Sequence, residues 1–191
     1  MILAAGRGER LKPLTNTTPK ALCSIADRPI IDYHLHNLAA AGFTKVVINH
    51  AHLGWKIRNY LQNRQDLNLE IVFSPEPPGG LETGGGIYHA LKNFETQAFA
   101  VINADIYSDY DLKNIRLPDN SLAHLILTET PKGHRADFGL NKSQLINSPP
   151  KYTFSGIACY SPDFFKNTKS GRFSVTPILR YLAEQNKVSG E

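Results

Sequence analysis

The chain has 191 residues, 41% of them hydrophobic and 20% charged, with a formal net charge of +4; these values fit one soluble domain with a sizeable core and exclude a disordered chain. The cation excess suits a phosphate-rich ligand, but the lysines and arginines are scattered and their densest stretch, residues 7–12, also contains Glu9, which argues against a nucleic-acid surface. Cys23 and Cys159 fit neither a zinc pattern nor a disulfide framework and read as buried, reduced thiols; no apolar run approaches a membrane span and the opening MILAAGRGER is too short for a signal peptide, so no membrane partner is expected and the cytoplasm is the expected compartment.

The chain opens on an apolar strand over residues 1–4, followed at once by a Gly-rich loop. Residues 29–41 predict a helix with Pro at its first turn and Gly42 as its stop. Residues 45–49 predict a buried strand, and the spacing of Leu53, Ile57 and Leu61 a helix over 52–62. A strand over 69–73, a turn over 75–80, a helix over 83–91 and a strand over 98–102 follow. These strands are continuous apolar runs rather than alternating ones, as expected where helices cover both faces of a parallel sheet. The predicted class is therefore α/β, with a Rossmann-like, mixed and mainly parallel sheet flanked by helices. Beyond it, 122–127 and 153–160 predict strands, 138–146 a hairpin and 175–184 a helix.

The segment Leu3-Ala4-Ala5-Gly6-Arg7-Gly8-Glu9-Arg10 follows the first strand, where an open α/β sheet places its ligands. Its glycines let backbone amides approach phosphate oxygens. It is not a Walker loop, since no Gly-Lys-Ser/Thr follows, and it lacks the third glycine of the dinucleotide fingerprint. Arg10 can fork onto phosphate and Lys20 can act as a point charge, with Pro13 and Pro19 bracketing the segment between them. A plain tight turn with two solvated cations is the competing reading of Gly-x-Gly alone.

The run L-A-A-G-x-G-x-R-L-x-P-L-T, followed by T-P-K-A-L, resembles the signature of the sugar-1-phosphate nucleotidyltransferases. Pro29 to His34, Val47 to His50, Leu81 to Gly86, Phe154 to Ile157 and Val188 to Glu191 extend the resemblance along the chain. They are most similar to the members that transfer a uridylyl group to N-acetylmuramate 1-phosphate in bacterial cell-wall recycling. The resemblance implies the nucleotide-diphospho-sugar transferase fold, UTP and a sugar 1-phosphate as partners, Mg²⁺ as cofactor, and UDP-N-acetylmuramate and pyrophosphate as products. A monomer is the expected state.

The implied site residues follow. Ala4, Ala5, Gly6, Gly8, Glu9, Arg10 and Lys20 surround the triphosphate, with Arg10 and Lys20 catalytic through charge. Uracil offers two acceptors and one donor, which a Gly-rich backbone and one side chain can satisfy; Glu82, Thr83 and Gly84 are the candidates. A helix start with Thr83 as a cap is the competing reading. Asp105, at the end of a buried strand, is the magnesium ligand, and Asn103 is a candidate for ribose or sugar. Asp137 and Gly156 are candidates for the sugar. Transfer at phosphorus needs positioning and charge neutralisation, not a general base.

His50 and His52 lack the partners of a metal pair, although Asn49 or His50 is a candidate for a ligand contact; His34 and His36 read as surface helix positions, Trp55 as packing, and Asp109 and Asp111 as turn and cap residues. In the relatives a later Trp-x-Asp-x-Gly-Thr turn brings a second carboxylate to the metal. The chain stops before it, so residues 1–191 are expected to form a single nucleotidyltransferase domain lacking its C-terminal segment, one that binds nucleotide and turns over poorly. GTP- or dTTP-dependent transfer to another hexose 1-phosphate, and a non-catalytic nucleotide-sugar-binding domain, are the alternatives.

Overall fold

The apolar runs of the first half become parallel strands. A computed structural model, which describes residues 1–62, 64 and 66–191, divides into two compact units, the first made of Met1–Glu95, Ile102–Asn114 and Ser170–Phe173. In chain order this unit holds β1 (Ile2–Leu3), a small antiparallel pair β2 (Ser24–Ile25) and β3 (Arg28–Pro29), helix α1 (Ile30–Ala40), β4 (Lys45–His50), α2 (Gly54–Leu61), β5 (Glu70–Pro75), α3 (Glu82–Ala90) and the end of β6 (Phe99–Asn103). The strand order is β5-β4-β1-β6. All these pairs are parallel, with Ile2 opposite both Ile48 and Ile102.

From β1 the chain steps outward through α1 to β4 and through α2 to β5, then returns by way of α3 to the other side of β1. The sheet therefore has a switch point between β1 and β6, and open α/β sheets bind ligands beyond the strand ends at such a point. Ile2, Ile31, Leu35, Val47, Ile48, Ile57, Ile87 and Ile102 form the core. The helices face it with the predicted spacing, Ile57 and Leu61 from α2 among them.

The second unit comprises Thr96–Val101, Ile115–Lys169 and Ser174–Glu191. Here β7 (Ala123–Glu129) lies antiparallel to β10 (Tyr152–Tyr160) and parallel to β11 (Val188–Gly190). The predicted hairpin is β8 (Gly139–Asn141) and β9 (Gln144–Ile146), and α4 (Thr176–Glu184) buries Leu179 and Ala183. The ring of Tyr160 meets Phe164 edge-on at 5.0 Å, and Phe164 meets Phe165 at 4.8 Å, an arrangement favoured by the ring quadrupoles. Burial pushes the Tyr160 hydroxyl well above the usual phenol range.

Several local expectations are corrected. Leu53 is not on the stripe of α2; it precedes the helix with a left-handed φ of 54°. Trp55 is 52% exposed rather than packed. His34 is buried, not at the surface: it sits on the inner face of α1, and the carbonyls of Ala104 and Ile106 face its ring. Cys159 is buried and its thiol pushed up to about 11 by desolvation, whereas Cys23 is half-buried; both are free thiols. Asp111 accepts from the amide of Lys113 at 3.0 Å, the cap role its position predicts.

Candidate active site

A cavity of about 350 Å³ opens at the carboxyl ends of the first unit's strands, within the size range of small-molecule sites. One wall is the chain leaving β1, Leu3 to Arg7. A second is Asn103, Ala104 and Asp105 at the end of β6. The third is built from Glu76, Gly79, Gly80, Glu82 and Thr83, between β5 and α3, with Arg172 beside them.

The strand ends are tied together by polar side chains. The amide of Ala4 donates to Asn49 Oδ1 at 2.8 Å, Asn49 Nδ2 donates to Glu76 Oε1 at 2.6 Å, and the amide of Leu81 donates to Glu76 Oε2 at 2.7 Å. Lys20, on the short 3-10 turn Lys20–Leu22, is ion-paired with Asp105. Arg172 Nε donates to Glu82 Oε1 at 3.1 Å. Glu82 opens α3 with a left-handed φ of 61°, a conformation costing a non-glycine residue of order 1 kcal/mol or more and concentrated at functional positions. The segment carrying Arg172 is held on α3 by its backbone: Phe173 donates to the carbonyl of Leu81 at 3.1 Å, and Gly85 donates to that of Phe173 at 3.0 Å.

Of the residues singled out from the sequence, Ala4, Ala5, Gly6, Lys20, Glu82, Thr83, Asn103 and Asp105 line this one cavity. Ala4 does so with its amide bonded to Asn49. Gly8, Glu9 and Arg10 are not among the lining residues. Gly8 has φ 68° and lies under Thr15, whose hydroxyl donates to its carbonyl at 2.8 Å. The chain therefore turns away at that point into the 3-10 turn Glu9–Leu11. Arg10 is exposed on this turn, and Arg7 stands on the cavity wall instead, paired with Glu9 at 3.0 Å.

Gly84 is also not among the lining residues, and a Cβ there would lie 2.5 Å from the Phe173 ring, so its lack of a side chain serves packing. Asp137 and Gly156 belong to the second unit. Asp137 Oδ2 accepts from the amide of Phe154 at 2.9 Å, and Gly156 has φ 90° at the irregularity of β10. Arg7, Glu76 and Arg172 are the charged lining residues that were not singled out as site residues, and Asn49, a candidate ligand contact, lines the cavity as well. Asn49 ends the predicted strand over 45–49, whereas Arg172 carries no local signal.

Among the described residues, no group of three or more His, Cys, Asp and Glu side chains could hold a metal ion. Asp105 lines the cavity as a single carboxylate beside Lys20. That donor set does not make an all-protein cage, but it fits Mg²⁺ arriving with a triphosphate, because this ion keeps water and phosphate oxygens and takes few carboxylates.

The family model described as nucleotidyl transferase matches residues 1–173. N-acetylmuramate alpha-1-phosphate uridylyltransferase from Neisseria meningitidis serogroup B is 43% identical over 202 residues, which cover 100% of this chain and 87% of that protein. The protein of the same name from Caulobacter vibrioides is 30% identical over 210 residues, covering 100% and 86%. The solved structure of HddC from Yersinia pseudotuberculosis matches with a TM-score of 0.80 at 24% identity, covering 100% of this chain and 88% of the other. At that identity the likeness speaks for the fold.

Proposed function

The chain belongs to the nucleotidyl transferase family and is a sugar-1-phosphate nucleotidyltransferase with the nucleotide-diphospho-sugar transferase fold, and on that premise we propose that it joins UTP to N-acetylmuramate 1-phosphate, releasing pyrophosphate and forming UDP-N-acetylmuramate. The observation that carries this reading is the 43% identity, over the whole chain, to a protein named for that reaction. Such a product belongs to the recycling of cell-wall sugars. Both substrates are soluble phosphates, and among the described residues no helix is long and apolar enough to cross a membrane; a cytoplasmic reaction suits both.

In this reading the triphosphate lies along Ala5, Gly6 and Arg7, whose amides and guanidinium face its oxygens, and the base meets the wall of Gly80, Glu82 and Thr83. A phosphate oxygen of the sugar 1-phosphate attacks the α-phosphorus in line, the bond to the β-phosphate oxygen breaks, and pyrophosphate leaves from the opposite side. Lys20 releases Asp105 and follows the charge onto the phosphates, acting by electrostatic stabilisation rather than proton transfer. Asp105 would then hold Mg²⁺, which supplies charge neutralisation at the phosphates when bound. Asn103 faces the ribose or the sugar.

The test is pyrophosphate release with each of the four nucleoside triphosphates, paired with N-acetylmuramate, glucose and mannose 1-phosphates. The fastest turnover is expected with UTP and N-acetylmuramate 1-phosphate. Faster turnover with GTP, or with either plain hexose phosphate, would overturn the assignment.

A further inference from the structure

We propose that Glu76 is a positioning residue that couples the phosphate wall of the cavity to its base wall, and that it does so through Asn49. This inference rests on the cavity being the nucleotide site, but not on the identity of the base.

The two walls come from segments far apart in sequence, and one continuous chain of hydrogen bonds joins them. The amide of Ala4 donates to Asn49 Oδ1 at 2.8 Å, which fixes the orientation of the Asn49 amide. Its Nδ2 must then donate, and it does so to Glu76 Oε1 at 2.6 Å. The other carboxylate oxygen accepts from the amide of Leu81 at 2.7 Å, where α3 begins. Ala4 precedes Ala5, Gly6 and Arg7; Leu81 precedes Glu82 and Thr83. Each end of the chain thus lies next to lining residues.

Two further features show a place made for this chain. Asn49 is 2% exposed, so its orientation is not traded for water. A Cβ on Gly86 would lie 2.5 Å from Glu76 Oε1 and 2.8 Å from Asn49 Nδ2. The third glycine of the run thus opens the space that the carboxylate–amide pair fills. The same carboxylate holds the turn before α3, where the amide of Gly80 donates to the carbonyl of Pro77 at 3.0 Å and a Cβ on Gly80 would lie 3.6 Å from Glu76 Oε2.

The chemistry requires a carboxylate at 76 and an amide at 49, or the reverse. With Glu76→Gln, one oxygen must serve two donors. If the new amide serves Leu81, its nitrogen faces the nitrogen of Asn49. Rotating Asn49 only moves the conflict to the Ala4 amide, so one wall always loses its tie. Adding Asn49→Asp resolves the conflict. The aspartate accepts from Ala4 and from the introduced glutamine nitrogen, while the glutamine oxygen accepts from Leu81. Net charge is unchanged.

The experiment measures kcat, the KM of each substrate, and thermal midpoint for wild type, Glu76→Gln, Asn49→Asp and the exchanged double variant, using the triphosphate that wild type uses best. Losing one charge-assisted hydrogen bond should raise the triphosphate KM about tenfold in each single variant. The KM of the sugar phosphate should stay within about twofold, and discrimination between UTP and GTP should shrink. The double variant should recover most of the triphosphate KM. A double variant no better than either single one would overturn the proposal. So would single variants with lowered midpoints and an unchanged triphosphate KM, since that pattern is plain capping of α3. If wild type prefers GTP, the uridylyl reading fails while the coupling is still read on the GTP KM.

Discussion

Two glycine-rich segments border the cavity, and they do opposite things. Around Gly6 the space is open: a Cβ there would meet nothing within 4 Å among the described residues. In α3 every glycine of the run is closed off by protein. Gly84 lies against Phe173, Gly85 against the carbonyl of Gly171, and Gly86 against Glu76 and Asn49. Gly6 leaves room for something that is not protein, whereas Gly84, Gly85 and Gly86 let the chain pack on itself. A run of glycines in sequence reports that backbone must come close to something, without saying whether that something is a ligand or another part of the fold.

The largest effect is expected from Gly85→Ala. The added methyl group would overlap a backbone oxygen that cannot swing aside, so the variant should lose about 3 kcal/mol of stability or fail to fold. A thermal midpoint equal to wild type would show that the Ser170–Phe173 segment is not held on α3 as described.

On the open wall, Lys20→Ala should act on function instead. Removing one charged contact to phosphate should lower kcat/KM for the triphosphate by about 1.5–3 kcal/mol, while the midpoint hardly moves. Lys20 and Asp105 are both partly exposed, and such pairs contribute little to stability. Unchanged catalytic efficiency would remove Lys20 from the site.

Gly6→Ala tests the comparison most directly and should have a smaller effect. With open space around it, stability should stay within ~0.5 kcal/mol of wild type. Nucleotide affinity should fall, because the methyl group occupies the space through which a phosphate approaches. A destabilised variant with normal affinity would place Gly6 with the packed glycines.

Much of this could be read along the chain, and the division is physical. The parallel half was legible because each strand and helix is a local run of matching periodicity. The pairing of Lys20 with Asp105 had its two ends marked by local signals, a Pro-bracketed cation and a strand-terminal carboxylate. Arg172 was not legible: it reaches the cavity because Ser170–Phe173 returns to α3 across some ninety residues of sequence, and its neighbours Ser, Gly and Phe have no periodicity. The position of Arg10 outside the cavity lining was not legible either, since the turn at Gly8 depends on packing against Thr15. His34 was assigned to the surface because a histidine on a helix is polar by type, whereas this one faces the carbonyls of Ala104 and Ile106. Strand β11 is too short to stand out from Val-Ser-Gly.

A subtler test concerns His50, whose ring a Cβ added at the packed Gly54 would overlap. Burial, and then the nearby Arg58, hold the pKa of His50 below the usual histidine range. The folded chain therefore keeps the ring neutral where the unfolded chain takes up a proton. The stability this contributes is present above the unfolded pKa, ~6.5, and is lost as pH falls below it. The thermal midpoint should drop between pH 7 and pH 5.5. His50→Gln should flatten that slope without removing it, because burial lowers His124 in the second unit as well. An identical slope in wild type and variant would mean that His50 titrates alike in both states.

The account stands on the cavity of the first unit being a nucleotide site that selects uracil. Competition between UTP and GTP for a fluorescent nucleotide bound to the intact chain, with Mg²⁺ present, measures that directly. UTP is predicted to displace the probe at lower concentration than GTP, and Lys20→Ala to weaken both. Equal displacement by the two, or tighter GTP, would contradict the base assignment, and displacement insensitive to Lys20 would contradict the site.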